Sequence, residues 1–524
     1  MTARAYRSIK QHTPEGHWDT VIVGSGIAGM ACGAALSKHG QRVLLLEQHY
    51  VPGGMTHSFS RKGFRWDVGV HCLGEQNESD VAGKLLAWLT DGKLEMNRLP
   101  ETYERFWFPD GFQFTYCSDV KRFRAQLIEA FPAEAKGIAR YFKLVSTVFN
   151  VARPFYALKA TPISVNKFFS SAIGWSWRRY WSRTTRSVMD ELFTDEHLKT
   201  ILVSQWGYYG SPPSRSSFGM HAMVCRHFFD GAFYPVGGAA SFARHLLETI
   251  KAGGGETYVA AAVSKILVEN DRAVGVELTG GQQLRADRVV SAAGVKNTIH
   301  KLIPEALRHS AWAKSLDGIT SSPAYFCLNL GFEGDLRAAG ASETNNWLME
   351  SWDVDQAFWD ISDPAAVPPI TYLSFPSLKD PLLKDTAHHT GEVLAFVKWG
   401  RFEQWSHTRR GRRPAEYEAL KKEVASRLVA HLERKLPRIM KHLVFHELST
   451  PLSTQYFARS WEGGIYGYET TPARFGNDDL TAHTPLRGLY LTGGDVVAPG
   501  VAGALVSGVI TASAIKPRVF FRLL

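Results

Sequence analysis

One stretch near the start constrains the fold more than any other. Thr20-Val21-Ile22-Val23 is an apolar run too short for a helix and suited to a buried parallel strand. Gly24-Ser25-Gly26-Ile27-Ala28-Gly29 follows at once, and an alanine-rich segment to His39 reads as a helix that Gly40 stops. A second strand, Arg42 to Leu46, ends at Glu47, 18 residues beyond Gly29. Strand, glycine turn, helix, strand and acid in that order make a dinucleotide-binding unit. Gly24 permits the tight turn, Gly26 lets a pyrophosphate approach the backbone, and Gly29 lets the helix pack close on the strand. Ser25, Ile27 and Ala28 complete a turn whose free N–H groups and helix dipole favour phosphate. Glu47, with Gln48 beside it, is placed to accept hydrogen bonds from ribose hydroxyls.

Two further segments point to FAD rather than NAD. Pro52-Gly53-Gly54-Met55 comes soon after the acid, and its glycines can bring more backbone N–H groups to the adenosine side; a simple turn is the alternative. At the far end, Gly488 to Thr492 reads as a strand, Gly493-Gly494-Asp495 as a corner, and Val501 to Ala514 as a helix. Asp495 would accept a ribityl hydroxyl. The helix start, Val501 and Ala502, would aim its positive end at the flavin N1–C2 carbonyl edge, where charge gathers on reduction. Ala498 to Ile515 is the only long apolar stretch, and its Gly, Ser and Thr residues suit packing on a cofactor better than lipid. Tyr258 to Leu267 and Ala273 to Leu278 read as a hairpin, and Asp287 to Gly294 as a strand ending in a glycine turn. Val263 is either a backbone partner for adenine or a plain core valine.

Several motifs are more specific than the dinucleotide fingerprint. They are Gly53 to Phe59, Trp66-Asp67-Val68-Gly69-Val70-His71, Tyr234 to Gly238, Ser374 to Pro381, Thr450 to Ser453, Gly464-Ile465-Tyr466-Gly467 and Leu489 to Val497. Through them nearly the whole chain resembles the flavin-dependent carotenoid isomerase, phytoene desaturase and retinol saturase group, the retinol saturase branch most of all. The resemblance implies an α/β fold: a Rossmann-type FAD-binding domain of the glutathione-reductase and amine-oxidase kind, with an inserted α+β substrate domain. It also implies action on long, apolar, unsaturated chains at membranes. Met55 stands where phytoene desaturases usually carry Arg, which points towards the saturase and isomerase branch. Gly494 stands where vertebrate saturases more often carry Gln.

The expected reaction is reduction or isomerisation of a polyene such as a retinoid or carotenoid. Desaturation of a fatty acyl chain or another hydrophobic substrate is a second reading, and flavin and lipid binding without turnover a third. A hydride moves between carbon and the flavin while a proton goes to or from the neighbouring carbon. His71 is the first proton-transfer candidate, because the Asp67-x-Gly69 turn lies beside the isoalloxazine in the family; a structural histidine bonded to backbone is the alternative. Tyr466, which could equally be an apolar tunnel wall, and His57 follow. No metal site is expected.

The flavin domain is expected in three pieces, residues 1–75, 227–300 and 480–524 with the carboxy-terminal tail, and the substrate domain in two, residues 76–226 and 301–479. Hydrophobic content of 45% and charged content of 21% are those of an ordinary globular protein. The net charge of +10 favours an anionic partner, yet no nucleic-acid-binding motif gathers the basic residues. Instead, Val151 to Arg183 carries six Lys and Arg and no acid, interleaved with Phe155, Phe168, Phe169, Trp175, Trp177 and Trp181. That pattern suits an anionic headgroup layer; a helical lid packed on the protein is the alternative. Lys516 to Arg522 repeats the theme, and Met1 to His17 reads as a polar, basic arm. Five scattered cysteines without a C-x-x-C pair fit a reducing compartment. Together these give a cytoplasmic protein lying on a membrane, taking an apolar lipid, with no legible redox partner.

Overall fold

The computed structural model describes residues 5–523, so residues 1–4 of the basic arm and position 524 lie outside them. Its first sheet grows around the Trp18–Val23 strand, in which every side chain but that of Asp19 is buried. The order is Arg7–Ser8, Glu256–Val259, Val43–Leu46, Trp18–Val23, Gln283–Ser291, Arg272–Leu278, Val263–Glu269. The first five are mutually parallel and the last two turn back antiparallel. Leu489–Leu491 pairs parallel with Val289–Ser291, whose other edge carries Val21–Val23. That single shared strand brings the carboxy-terminal segment beside the amino-terminal glycine turn.

Helix packing draws the ends together further. The Ile27–Ser37 helix is buried along its whole length and lies against the Ala240–Ala252 and Gly500–Ile515 helices. A Cβ at Gly508 would stand 2.4 Å from the Ala28 carbonyl oxygen, and one at Gly33 2.8 Å from Ile250 Cδ1. The apolar stretch from Ala498 is therefore a helix–helix seam. No helix among the described residues is long and apolar enough to cross a membrane.

Within the basic arm, Arg7–Ser8 forms an edge strand on Tyr258–Val259. One expectation is overturned. Tyr258 to Leu267 is not one hairpin arm. Glu256–Val259 belongs to the parallel sheet, and the chain breaks at Ala260, held at φ +56°, where Ala260 and Ala261 donate to the His49 and Glu47 carbonyls. The hairpin proper is Val263–Glu269 with Arg272–Leu278, turning through Asn270 and Asp271 at positive φ.

The second sheet runs Leu443–Ser449, Ala324–Glu333, His388–Val397, Ile370–Ser374, Asn345–Met349, Thr102–Trp107, Gln113–Cys117. Its pairs are antiparallel except Asn345–Met349 with Thr102–Trp107. The Val120–Ala130 and Ala415–Lys435 helices pack on its two edge strands, and Ala135–Leu158, Ile163–Ile173 and Trp175–Trp181 pack on one another beyond the first of these.

The aromatic-basic segment divides between two environments. Phe155, Trp177 and Trp181 are buried, and Lys159 is buried with Nζ donating to the Leu480 carbonyl at 2.7 Å. Lys167 and Arg178 pair with Asp479 and Asp478 at 2.7 Å each. Phe168 and Trp175, 68% and 69% exposed, stand outward with Phe169 and Ile173.

Candidate active site

One cavity of about 660 Å³ runs from the first glycine turn to the face of the second sheet. Gly24, Gly26, Ile27, Ala28, Glu47, Gln48, Gly54, Met55 and Val263 line one end. Gly494, Asp495 and Val501 join them across the sheet, and His57, His71 and Tyr466 line it too. Ser25, Gly29, Gly53 and Ala502 do not. Ser25 turns away onto Glu47, and Gly53 N–H donates to the Ser25 hydroxyl at 3.1 Å. Gly29 is a packing residue, since its Cβ would stand 2.1 Å from the Gly24 carbonyl oxygen. Ala502 lies in the first turn of its helix, outside the lining.

The lining has the shape a dinucleotide requires. Gly24 sits at φ +102°, a conformation glycine adopts without cost. A Cβ at Gly26, Gly493 or Gly500 would meet nothing within 4 Å, so these backbones face open space. The Ile27–Ser37 and Gly500–Ile515 helices both begin at the cavity, presenting free N–H groups and positive dipole ends. Glu47 accepts from Ser25 N at 2.9 Å and Ser25 Oγ at 2.6 Å on one oxygen, and from His49 N at 2.7 Å on the other. Asp495 accepts from Val295 N at 2.9 Å and Tyr468 N at 2.7 Å. Glu47 Oε1 and both Asp495 oxygens each keep a second lone pair for a ligand hydroxyl. Buried Arg474 donates to the Tyr468, Gly494 and Asp495 carbonyls, clasping the corner from behind.

Beyond the corner the cavity becomes an aromatic chamber lined by Tyr208, Trp347, Ile370, Tyr372, Leu394 and Phe396. His71 stands here with Nδ1 3.0 Å from Glu392 Oε2, but the alignment is too poor for a hydrogen bond and neither atom has another partner. Burial, with Lys379 nearby, holds the His71 imidazole down to about 3, so it is neutral at ordinary pH. Burial also pushes the Glu392 carboxyl well above the usual carboxylate range. His57 is lowered by burial, and its Nδ1 lies 2.5 Å from the Gly54 carbonyl oxygen. Tyr466 takes part through its backbone N–H, which donates to Ser322 Oγ at 2.8 Å; burial raises its phenol.

A second tier behind the chamber escaped the sequence reading. Glu104, fully buried, accepts from the Tyr208 hydroxyl, from Asn345 Nδ2 at 2.9 Å and from Trp347 Nε1 at 2.6 Å. Lys379 Nζ donates to Asn345 Oδ1, to Ser374 Oγ at 2.7 Å and to the His71 carbonyl at 2.8 Å. One signal was available: Glu104 is in phase with buried Phe106 and Phe108, an acid on the apolar side of the Thr102–Trp107 strand. Nothing in the sequence near Lys379 marks it as buried.

A cavity with a phosphate-type turn at one end, a second helix start midway and an aromatic chamber beyond fits a long dinucleotide carrying a redox ring. The class is that of FAD-dependent oxidoreductases. The chain belongs to the flavin containing amine oxidoreductase family, which it matches over residues 27–516. It is 30% identical to the all-trans-retinol 13,14-reductase of Danio rerio, over 95% of this chain and 86% of that one. A second Danio rerio relative, described as an inactive all-trans-retinol 13,14-reductase, is also 30% identical over the same shares. The prolycopene isomerase of Arabidopsis thaliana is 24% identical, over 98% and 85% of the two chains. Among solved structures, a putrescine oxidase variant superposes with a TM-score of 0.66 at 16% identity, covering 96% of this chain and all of that one. An oxidoreductase from Methanosarcina mazei gives 0.64 at 19%, covering 93% and 98%. Both structural likenesses speak for the fold.

Proposed function

We propose that this flavoprotein reduces or isomerises a double bond of a long conjugated lipid, of the retinoid or carotenoid kind. The observation that carries the reading is the chamber: flat aromatic and branched aliphatic walls continuous with the cofactor end of the cavity suit a rigid apolar polyene. Relatives named as an all-trans-retinol 13,14-reductase and a prolycopene isomerase support it.

In this reading the turn around Gly26 takes the pyrophosphate and Glu47 the adenosine ribose. Val263 flanks the adenine, Gly54 and Met55 bring backbone N–H groups near the adenosine, and Asp495 accepts a ribityl hydroxyl. The helix start at Gly500 and Val501 faces the flavin carbonyl edge. Bound there, FAD supplies hydride exchange with carbon; the chain orients the polyene and keeps water out. Exposed Phe168, Phe169 and Trp175, among basic residues, would rest in a lipid headgroup layer and let the substrate pass from membrane to chamber. Binding to anionic vesicles reads that contact directly.

Anaerobic half-reactions test the chemistry. Reoxidation of the pre-reduced holoenzyme by all-trans-retinol or a carotene in detergent micelles is the expected result for a reductase. Geometric conversion of a cis-polyene without net redox change is expected for an isomerase. Bleaching of the oxidised enzyme by saturated lipid would favour desaturation, and flavin indifferent to every lipid would leave a binding protein.

A further inference from the structure

We propose that Tyr208 is the proton donor to carbon in this chamber and that Glu104 recharges it from behind. The inference rests on the reductase reading above and adds a catalytic pair that neither His71 nor Tyr466 supplies.

The geometry leaves Glu104 one outlet. Trp347 Nε1, at 2.6 Å, and Asn345 Nδ2, at 2.9 Å, are donors only, so neither can take a proton from the carboxyl group. Cys72 Sγ lies 3.8 Å away and is itself hydrogen-bonded to Tyr208 at 3.3 Å. The Tyr208 hydroxyl, which donates to Glu104 Oε1 when the acid is ionised, is the neighbour whose oxygen can take a proton from the carboxyl group. Tyr208 in turn lines the chamber, and its hydroxyl lies 3.4 Å from that of Tyr372, which lines it as well. A proton leaving Glu104 therefore passes to Tyr208, and one leaving Tyr208 enters the chamber.

The charges around the pair support the direction. Burial, opposed by the three hydrogen bonds and by Lys379, pushes the Glu104 carboxyl up to about 7, so the acid is populated at neutral pH. The ionisable groups facing it are Lys379, Cys72, Tyr208, Tyr372 and Tyr103. Burial pushes the lysine down and the thiol and phenols up, so the phenols hold their protons. His71, neutral with its Nδ1 against Glu392, has no imidazolium to offer.

Reduced FAD, when bound, would supply the hydride to one carbon of the double bond; the neighbouring carbon forms a C–H bond with the Tyr208 hydroxyl proton as that O–H bond breaks. The Glu104 carboxyl proton passes to the Tyr208 oxygen in the same event. Glu104 is left a carboxylate held by the Asn345 and Trp347 N–H groups, and after product leaves a proton from water entering the chamber returns to it through Tyr208.

The test compares wild type, Tyr208→Phe and Glu104→Gln holoenzymes, each checked for bound flavin and unfolding midpoint. In stopped flow, reoxidation of reduced wild type by all-trans-retinol in micelles should slow tenfold per pH unit above about 7, where the acid is lost. Tyr208→Phe should slow it roughly 100-fold or more, and Glu104→Gln should abolish the pH break. Reoxidation by ferricyanide, which protonates no carbon, should proceed alike in all three. A second readout needs no substrate: the infrared spectrum of wild type should show a protonated carboxylic acid that titrates near neutral pH and vanishes in Glu104→Gln. Absence of that band at pH 6, or polyene reoxidation with wild-type rate and pH profile in both variants, overturns the pair while leaving the reductase reading intact. A wild type that no polyene reoxidises overturns the reading and the pair together.

Discussion

Ser25 donates both its backbone N–H, at 2.9 Å, and its hydroxyl, at 2.6 Å, to the same oxygen of Glu47. The acid at the end of the second strand thus braces the glycine turn at the end of the first. Its other oxygen takes the His49 N–H at 2.7 Å. Glu47→Ala would free three donors and remove the ribose acceptor together. It should weaken FAD binding tenfold or more, about 1.4 kcal/mol or greater, read as flavin fluorescence quenching on titrating apoprotein. Unchanged affinity would sever Glu47 from the cofactor.

Two glycines separate binding from stability. A Cβ at Gly26 would meet no protein atom within 4 Å, whereas one at Gly508 would stand 2.4 Å from the Ala28 carbonyl oxygen. Gly26→Val should leave the apoprotein's unfolding midpoint nearly unchanged yet abolish flavin retention. Gly508→Ala should cost roughly 1–3 kcal/mol of stability through overpacking. Equal loss of midpoint in the two variants would contradict this assignment.

Acid should destabilise the fold through its buried histidines. Burial lowers His71 and His221 to about 3, and His49 and His431 to about 4. Each stays neutral in the folded chain but takes up a proton in the unfolded chain below about 6.5. Their contribution is complete above that pH and drains away as pH falls towards 4. His221, bonded to the Tyr141 hydroxyl at 2.8 Å, is not among the residues that line the cavity. His221→Asn should flatten the stability slope between pH 6 and pH 4 by about 1.4 kcal/mol per pH unit. Chemical denaturation at several pH values measures it; a slope equal to wild type would refute the histidine account.

Membrane contact should be separable from folding. Phe168 and Trp175 are 68% and 69% exposed, so Phe168→Ser with Trp175→Ser removes no core packing. The double variant should keep its unfolding midpoint and sediment far less with anionic vesicles at low salt. A Trp177→Ser variant should lose stability instead, because that ring is 1% exposed. Vesicle binding unaltered by the double substitution would turn attention to the other basic surfaces.

The dinucleotide unit was readable because each of its parts is local. The glycine turn, its helix and the Glu47 acid fall within one short window, and the Gly493 to Asp495 corner within another. Ser25 and Ala502 show the limit of that reading. Both sit in the right motif, yet side-chain direction in one case and helix phase in the other put them outside the cavity. The segment around Trp175 was legible as aromatic and basic, but not as divided, because which ring faces inward depends on the body it packs against.

By itself, then, the sequence determined a nucleotide turn, a second glycine corner far along the chain, and the redox class that needs both. Such features follow from backbone conformations that few residues can adopt. Only tertiary structure decided that Glu104 and Asn345, 241 positions apart, share a hydrogen bond, and that Lys379 is buried beside them. That pairing follows from the parallel register of Thr102–Trp107 on Asn345–Met349. Desolvation, which tunes these groups, comes from every neighbour at once, and no short window of residues contains it.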